Sequence, residues 1–458
     1  MTSKIIVSRN DGLSQRIKAL VSGIYISEIL GAELKLHWVE GNLSDKFHSI
    51  QRPDFMFSAD FVETNVLESA QFSELSKVAK LSKIADTVES WSDLEEFDCI
   101  IVDAPLNRLK IDFDKHLLYQ MFWSLPLSKR YLELSEFAQS APLQDQATGI
   151  HIRGGDVIYE RFRYHHRFQE KVMPISVGKR VAMKALDAGE TPLVFAQDQE
   201  VASEMRRIEG VCLAQDIGRE LNPTADERAF LEMALLSRCT KVISGHTGFT
   251  ELAELLTDSE IINFRTVFSS DEIVKLVNDD LRKNGYRYND LHAAFLLLNV
   301  ALYSNPRQAQ KSKKNLILEA LVRAGELDPS NGMYPWLRVV QLLALERLDE
   351  AEKVLVQCLK LDFGSDVDLD FLLRQVPLFR SITAQRVDGT VIMKRYFTGF
   401  GMDFSNHPFL SIIHAYLLKR QGEADDAKKM ISNVDFAKYD WHPFLPYLHC
   451  LKEAIEGE

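Results

Sequence analysis

The sequence has no long hydrophobic run. Apolar residues make up 46% of it, yet no stretch of 18 consecutive apolar residues occurs, so a membrane-spanning helix is not expected. The first residues, MTSKIIVSRNDG, hold a short strand pattern and lack the longer apolar core of a signal peptide. We therefore expect a cytoplasmic protein, with any membrane contact limited to the periphery of the inner membrane.

Cysteine is also scarce, and basic residues are outnumbered by acidic ones. The five cysteines lie far apart and form no CxxC pair, which argues against a structural metal site or a disulfide framework. Asp and Glu outnumber Lys and Arg by 66 to 54, for a formal net charge of −12. General nucleic-acid binding is not expected, because it requires broad basic surfaces. A small anionic ligand at one local basic spot remains compatible with this balance.

Strand and helix patterns alternate through the first 285 residues. The chain opens with a strand at 4–7, a glycine loop, a helix that Gly31 is placed to stop, and a strand at 34–38. Strand patterns then recur at helix-sized intervals, at residues 149–152, 192–196, 210–213, 241–244 and 260–263. Such alternation is typical of parallel sheets covered on both faces. We predict an α/β protein with two Rossmann-like domains, residues 1–145 and 146–285.

Helical patterns replace strand patterns beyond residue 285. The dipeptide Leu327-Asp328 recurs 34 residues later, and HPFL at 407–410 recurs 35 residues later. A 34-residue period is that of tetratricopeptide helix pairs. We predict that residues 286–458 form an all-α tetratricopeptide-like solenoid. Its role is open between binding an acceptor or a protein partner, self-association, and capping of the preceding domains.

A basic stretch stands out in this acidic chain: GIHIRGGDVIYERFRYHHRF at residues 149–168. Its strand ends in a glycine loop, at the carboxyl end where open α/β sheets bind ligands. Gly154 and Gly155 let the backbone approach a ligand, and Arg153 offers a planar fork of donors suited to phosphate. Asp156 would orient neighbouring groups. The stretch predicts a diphosphate site, with a loop ion pair between Arg153 and Asp156 as the alternative.

Four segments between residues 10 and 257 carry a family resemblance. They are DGLSQRIKALVSGIYISEILGAELKLHW, HIRGGD, PLVFAQDQEVASEMRR and AFLEMALLSRCTKVISGHTGFTELAELL. In this order they resemble the N-terminal loop and helix, the His-x-Arg-x-x-Asp motif, the nucleotide-reading segment and the last motif of the GDP-fucose-dependent fucosyltransferase superfamily. That superfamily includes α1,2-, α1,6-, protein O- and nodulation fucosyltransferases. The resemblance implies a GT-B-like pair of Rossmann-like domains and does not cover the helical region.

The resemblance also implies an activity, namely inverting, metal-independent transfer of fucose from GDP-fucose to a glycan or glycolipid-precursor acceptor. No metal and no cofactor beyond the nucleotide-sugar donor is then expected. Arg153 would stabilise the negative charge that grows on the departing diphosphate. The residues expected to hold the donor are His151, Gly154, Gly155, Asp156, Asp198, His246, Thr247, Gly248 and Thr250.

An inverting transfer needs a base for the acceptor hydroxyl. Glu160 lies near the place of the catalytic glutamate in the α1,6 branch, so the resemblance assigns it this role. The alternative is a surface glutamate paired with Arg161 or Arg163. His165 or His166 could serve as the base instead.

Several positions depart from the family pattern. Gly154 stands where many relatives carry a second arginine, so diphosphate binding rests on Arg153 alone or recruits Arg161. His246 stands where serines are usual, which makes it a further candidate acid or base. In the first loop, Gly12 and Arg16 are expected at the cleft, with helix capping as the alternative for Arg16.

Two other functions remain open at this stage. The sheet domains could use a different nucleotide sugar, because the motifs mainly recognise the diphosphate. Alternatively, the chain could be a catalytically inactive, transferase-like scaffold that recruits partners through its helical repeats. The acceptor, the linkage and the oligomeric state do not follow from the sequence.

Overall fold

The structure is a computed structural model. It describes residues 4–39, 52–73, 78–143, 147–160, 163, 171–245, 247–257, 259–304, 311–331, 333–361, 404, 406–420, 422–432 and 434. The chain divides into two compact units: unit 1 comprises Met1–Gly155 and Val177–Val267, and unit 2 comprises Asp156–Ser176 and Phe268–Glu458. The domain boundaries at 145 and 285 stay a prediction.

The strands of the described residues all lie in unit 1. They are β1 (Lys4–Arg9), β2 (Glu33–Trp38), β3 (Ala79–Lys80), β4 (Cys99–Val102), β5 (Ala147–His151), β6 (Thr191–Phe195), β7 (Cys212–Leu213), β8 (Lys241–Ser244) and β9 (Glu260–Asn263). The predicted strands at 241–244 and 260–263 are confirmed to the residue. The other predicted strands are present with ends shifted by one or more residues.

Two sheets result, and every strand pair within them is parallel. The first has the order β2-β1-β4-β3, and the second has the order β7-β6-β5-β8-β9. In the second sheet, β5 is the central strand. The chain adds β6 and then β7 on one side of β5, and β8 and then β9 on the other side. Because all its strands point the same way, their carboxyl ends share one edge. The predicted α/β class with parallel sheets is confirmed.

The helices connect and cover these strands. In chain order they are α1 (Leu13–Leu30), α2 (Pro53–Met56), α3 (Ala59–Asn65), α4 (Ser69–Ser73), α5 (Leu81–Ile84), α6 (Trp91–Leu94), α7 (Lys115–Trp123), α8 (Lys129–Ser140), α9 (Gly155–Ile158), α10 (Ile175–Asp187), α11 (Gln199–Met205), α12 (Ala225–Leu236), α13 (Gly248–Leu256), α14 (Phe264–Val267), α15 (Ser270–Asn284), α16 (Asp290–Tyr303), α17 (Lys311–Leu327), α18 (Met333–Ala344), α19 (Leu348–Leu361), α20 (Pro408–Arg420) and α21 (Ala424–Ser432). α1 ends where the sequence predicts, because Gly31 adopts a left-handed φ of 62° that stops a helix.

One hydrophobic core runs through both sheets of unit 1. It includes Val7 of β1, Phe195 of β6 and Val242 of β8. Helix α1 contacts α12 and α13, while α7 contacts α13 and α8 contacts α12. Since α1 follows the first sheet's opening strand and α13 follows β8 of the second, the two sheets are joined through packed helices. The edges of both sheets are thereby held in a fixed relation within unit 1.

Unit 2 is helical in its described part. Each of the helices α15 to α19 contacts the next, and α20 contacts both α19 and α21. A buried hydrogen-bond network joins the two segments of the unit: Asp280 accepts hydrogen bonds from Ser176 at 2.8 Å and from Tyr288 at 2.6 Å. The tetratricopeptide-like character stays a prediction, since Asp362 and residues 442–445 lie outside the described residues. No helix of the described part is long and apolar enough to cross a membrane.

Candidate functional site

The candidate site lies at the carboxyl edge of the second sheet. From β5 the chain continues to β6 on one side of the sheet, and from the neighbouring strand β8 it continues to β9 on the other side. The gap beyond the carboxyl ends of β5 and β8 is therefore a topological switch point. Ligands of open α/β sheets bind in this crevice. β5 ends at His151 and leads into Arg153, and β8 ends at Ser244 and leads into Thr247 and α13. The motifs singled out in the sequence therefore meet at one place.

The glycine loop after β5 is tightly packed. Gly154 is buried, and a Cβ atom added to it would lie 2.9 Å from the Cβ atom of Asp198 and 3.2 Å from its Oδ2 atom. Gly155 has a φ of 37°, in the left-handed region that favours glycine. Asp198 therefore leaves too little room at position 154 for even one side-chain carbon atom. Arg153, half-buried, is the cation of this loop.

Substitution of Gly154 by Ala tests this packing. We expect the added methyl group to displace Asp198, which caps α11 by accepting a hydrogen bond from the Glu200 amide at 2.8 Å. Loss of an N-cap costs about 0.5–2 kcal/mol, so thermal unfolding should begin at a lower temperature. The control is Gly285→Ala, where the nearest atom to the added Cβ is 3.9 Å away. Equal unfolding temperatures for the two variants would contradict the packing argument.

His151 is a neutral, fixed side chain. Burial and, to a smaller degree, the charge of Arg153 lower the pKa of His151 to about 3. The ring stacks on Phe249 with centroids 5.0 Å apart, and its Nδ1 atom lies 3.2 Å from the Thr247 hydroxyl. An imidazole with so low a pKa carries no charge near neutral pH. His151 can thus orient Thr247 or a ligand by hydrogen bonding, but it adds no charge to the site.

The start of α13 forms the other side of the site. Thr247 caps the helix in a capping box: its hydroxyl accepts the Thr250 amide at 3.4 Å, and the Thr250 hydroxyl accepts the Thr247 amide at 3.1 Å. The Thr250 hydroxyl is fully buried and bonds the Thr247 carbonyl at 3.1 Å. Gly248 is the first residue of α13. The amino end of this nine-residue helix favours negative charge, on the same edge of the sheet as Arg153.

The first loop of the chain packs against this helix. Gly12 is the N-cap residue of α1. Gln15 lies against Gly248, so that a Cβ atom added to Gly248 would overlap the Gln15 side chain. Gln15 Nε2 donates to Glu251 at 3.3 Å, and Lys18 forms an ion pair with the same carboxylate. The first and last motifs, more than 230 residues apart in sequence, are thus brought together.

Arg16 is bound within the first sheet. Its guanidinium donates to the Asp11 carbonyl at 2.7 Å and to the Val39 carbonyl at 2.5 Å. It also lies over the ring of Trp38, 5.0 Å from the centroid. Arg16 therefore joins the loop after β1 to the end of β2. This is a structural role for its guanidinium group.

The remaining predicted residues belong to unit 2 or lie outside the described residues. Asp156 and Glu160 belong to unit 2, and Asp156 is 4% exposed. His246, Arg161, His165 and His166 lie outside the described residues. Their roles stay predictions.

Sequence reasoning missed Glu232, which lies in the last motif on α12. Burial raises the pKa of Glu232 to about 7, against the opposing effect of Arg228 one turn earlier. The Arg228 guanidinium is itself occupied, since it donates to the Ile217 carbonyl at 2.7 Å. A glutamate on the inner side of a helix was the available signal, because carboxylates are rarely buried without a partner.

Glu232→Gln should therefore change how stability depends on pH. The folded chain binds a proton at Glu232 between pH 4.5 and about 7, where the unfolded chain does not, so wild-type stability falls as pH rises through this window. We expect the melting temperature of Glu232→Gln, relative to wild type, to increase from pH 5 to pH 8. Glu220→Gln, at an exposed position, serves as the control. A constant difference across this range would contradict the buried, protonated state of Glu232.

Metal ligands are not grouped in the described part of the chain. Among those residues, no three His, Cys, Asp or Glu side chains come together in a way that could hold a metal ion.

Comparison with known proteins gave matches to solved structures only. No family model matches the chain, and no curated protein matches it. Fucosyltransferase NodZ from Bradyrhizobium is 17% identical, over 58% of this chain and 97% of that chain, with a TM-score of 0.35. NodZ α-1,6-fucosyltransferase soaked with GDP-fucose is 16% identical, over 56% of this chain and 93% of its own, with a TM-score of 0.34.

POFUT1 in complex with GDP-fucose is also similar, at 12% identity over 57% of this chain and 98% of that chain, with a TM-score of 0.31. These structural neighbours are fucosyltransferases. With TM-scores below 0.5, they leave the functional conclusion to the residues of the site itself.

Proposed function

We propose that this chain is an inverting, metal-independent glycosyltransferase that transfers fucose from GDP-fucose to a glycan or glycolipid-precursor acceptor. The observation that carries the proposal is the meeting of Arg153, the glycine loop and the amino end of α13 at the switch point of a parallel sheet. These groups suit a diphosphate. The order of the sequence motifs supports guanine and fucose as the rest of the donor.

Charge development explains the use of each group. When the glycosidic bond breaks, the electron pair stays on the diphosphate oxygen, and negative charge grows there. Arg153 and the positive amino end of α13 are in place before the reaction, so they stabilise this charge without reorganising. His151 contributes no second cation, because its pKa is lowered to about 3. Arg153 thus carries the electrostatic role alone among the described cations of the glycine loop.

Asp198 is proposed to contact the ribose or base of the nucleotide. It follows β6, the strand next to β5, and is 7% exposed. Its Oδ1 atom accepts the Glu200 amide, which fixes the carboxylate at the same edge of the sheet. Glu160 is proposed as the base that removes the proton of the acceptor hydroxyl.

The cellular setting is part of the same proposal. Cys99, Cys212 and Cys239 are free thiols, which suits a reducing, cytoplasmic location, with any membrane contact at the inner membrane. The helical region is proposed to contact the acceptor, a protein partner or a second copy. A tetratricopeptide-like solenoid would offer a concave face for this purpose.

Calorimetric titration with GDP, GDP-fucose, GDP-mannose, UDP and CMP tests the proposal. We expect guanine-selective binding, followed by release of GDP from GDP-fucose. Binding of a different nucleotide would keep the mechanism but replace the donor. Nucleotide binding without turnover, or no binding, would favour the scaffold hypothesis, for which Gly154 in place of an arginine is the supporting observation.

A further inference from the structure

The segment that follows the glycine loop is anchored inside unit 2. Residues 156–176 belong to that unit, and Val157, Ile158 and Val172 form one cluster with Phe295 of α16. Each of these four side chains is at most 3% exposed. Burial of such large apolar groups stabilises one arrangement of the segment. Helix α16 is therefore the surface on which the described part of the segment rests.

A polar contact fixes the same segment to the start of α16. The Tyr159 hydroxyl accepts a hydrogen bond from Asn289 Nδ2 at 3.3 Å and hydrogen-bonds His292 Nδ1 at 3.3 Å. Asn289 is also the cap of α16, because its side chain accepts the His292 amide at 2.9 Å. The cap of the helix and the position of Tyr159 thus depend on the same two residues.

A second polar contact joins the segment to the turn between α17 and α18. The Arg163 guanidinium donates to the Tyr159 carbonyl at 3.0 Å and to the Ser330 hydroxyl at 2.7 Å. Its Nε atom lies 3.5 Å from Asp328 Oδ2. Asn331 returns a hydrogen bond to the Arg163 carbonyl at 3.2 Å.

The Asp328 carboxylate at this turn is buried, so losing its contact with Arg163 would be strongly destabilising. Asp328 is 3% exposed and Asn331 is 1% exposed, so the carboxylate is withdrawn from water. A buried carboxylate needs a cation, and removing either partner leaves the other uncompensated. Asp328 belongs to the Leu327-Asp328 pair that the sequence singled out as a repeat signal. In the structure, the same residue holds Arg163.

We propose that this turn and α16 position Glu160, with Asp328 acting as a positioning residue through Arg163. Glu160 lies between the two anchors: it follows Tyr159, and its carbonyl accepts the Arg163 amide at 3.0 Å. The inference rests on the proposed function, in which Glu160 is the base. It assigns to the helical region a direct part in placing the base.

The test is Asp328→Asn, which keeps the size of the side chain and removes its charge. We expect amide hydrogen exchange at Val157 and Tyr159 to accelerate about tenfold or more. GDP release from GDP-fucose, with water as the acceptor, should slow by about tenfold to a hundredfold, the cost of a misplaced reactive group. The dissociation constant for GDP should stay within about threefold of wild type, because Arg153, Gly154 and Gly155 of the glycine loop lie in unit 1.

Two companion variants separate positioning from general damage. Asp328→Glu keeps the carboxylate and should recover part of the rate. Glu350→Gln neutralises an exposed carboxylate 2.5 Å from Arg347 in the same unit and should behave as wild type. Unchanged exchange, or faster exchange with an unchanged rate of GDP release, would overturn the inference. A wild-type chain that neither binds GDP-fucose nor releases GDP would overturn the proposed function instead, whatever Asp328→Asn does to exchange.

Discussion

Arg153→Ala is expected to lower turnover of GDP-fucose by about 10²–10³-fold, the typical loss when one preorganised donor to a developing oxyanion is removed. Arg153 is half-buried in a loop that follows β5 and contributes no strand or helix core. The fold should therefore persist, with a melting temperature close to that of wild type. Rate measurements at saturating donor, together with calorimetry for GDP, separate lost catalysis from lost binding.

Arg206→Ala is the matched control for this variant. Arg206 is an exposed arginine of the same unit, paired with Asp216 at 2.9 Å, and exposed pairs contribute little. The Arg206→Ala variant should turn over GDP-fucose at the wild-type rate. If Arg153→Ala also retained the wild-type rate, the proposed role of this arginine would be wrong, and a different cation would have to stabilise the leaving group.

Glu251→Ala should be the most destabilising of the substitutions considered. The Lys18 side chain is 1% exposed and pairs with Glu251 between α1 and α13. Removing the carboxylate leaves a buried ammonium group without its counter-charge, which costs about 3–5 kcal/mol. Chemical denaturation at pH 7 measures this loss, and the loss of the Gln15 contact adds to it.

The pH dependence of this variant identifies the cause. Burial already lowers the pKa of Lys18 in the wild-type chain, and removal of Glu251 should lower it further. The folded state then releases a proton that the unfolded state keeps up to about pH 10.4. Stability of the variant should thus recover as pH rises towards 10.

A double variant and an exposed pair serve as controls. Lys18→Met in the Glu251→Ala background removes the uncompensated charge and should restore part of the stability. Asp216→Ala breaks an exposed pair of the same unit and should cost less than about 1 kcal/mol. Equal losses for Glu251→Ala and Asp216→Ala would show that the buried pair between the helices carries no special weight.

Local signals made the strands and the edge of the sheet predictable. Apolar runs such as Val242-Ile243 fall in buried strands because a parallel sheet covered on both faces needs them. Gly31 stops α1 through its own left-handed backbone. The common edge at which β5 and β8 end also followed from the sequence, since parallel strands have their carboxyl ends at one edge.

Contacts between distant residues were not predictable. Nothing near Gly154 indicates that Asp198 fills the space beside it. The pairing of Lys18 with Glu251 depends on how two helices pack, and that of Arg163 with Asp328 depends on how two distant segments of unit 2 pack. A single sequence shows charges and periods but not which charges meet, so the alternative of Arg163 pairing with the Glu160 side chain could not be decided before the structure was known.

The division of the chain has a consequence for its biosynthesis. Val157, Ile158 and Val172 leave the ribosome before Phe295, the partner that completes their cluster. A nascent chain of 267 residues has all of unit 1 but must keep these apolar side chains without their native cover until about thirty more residues are made. A truncated gene that stops after unit 1 would fix this transient state permanently, and its product should aggregate.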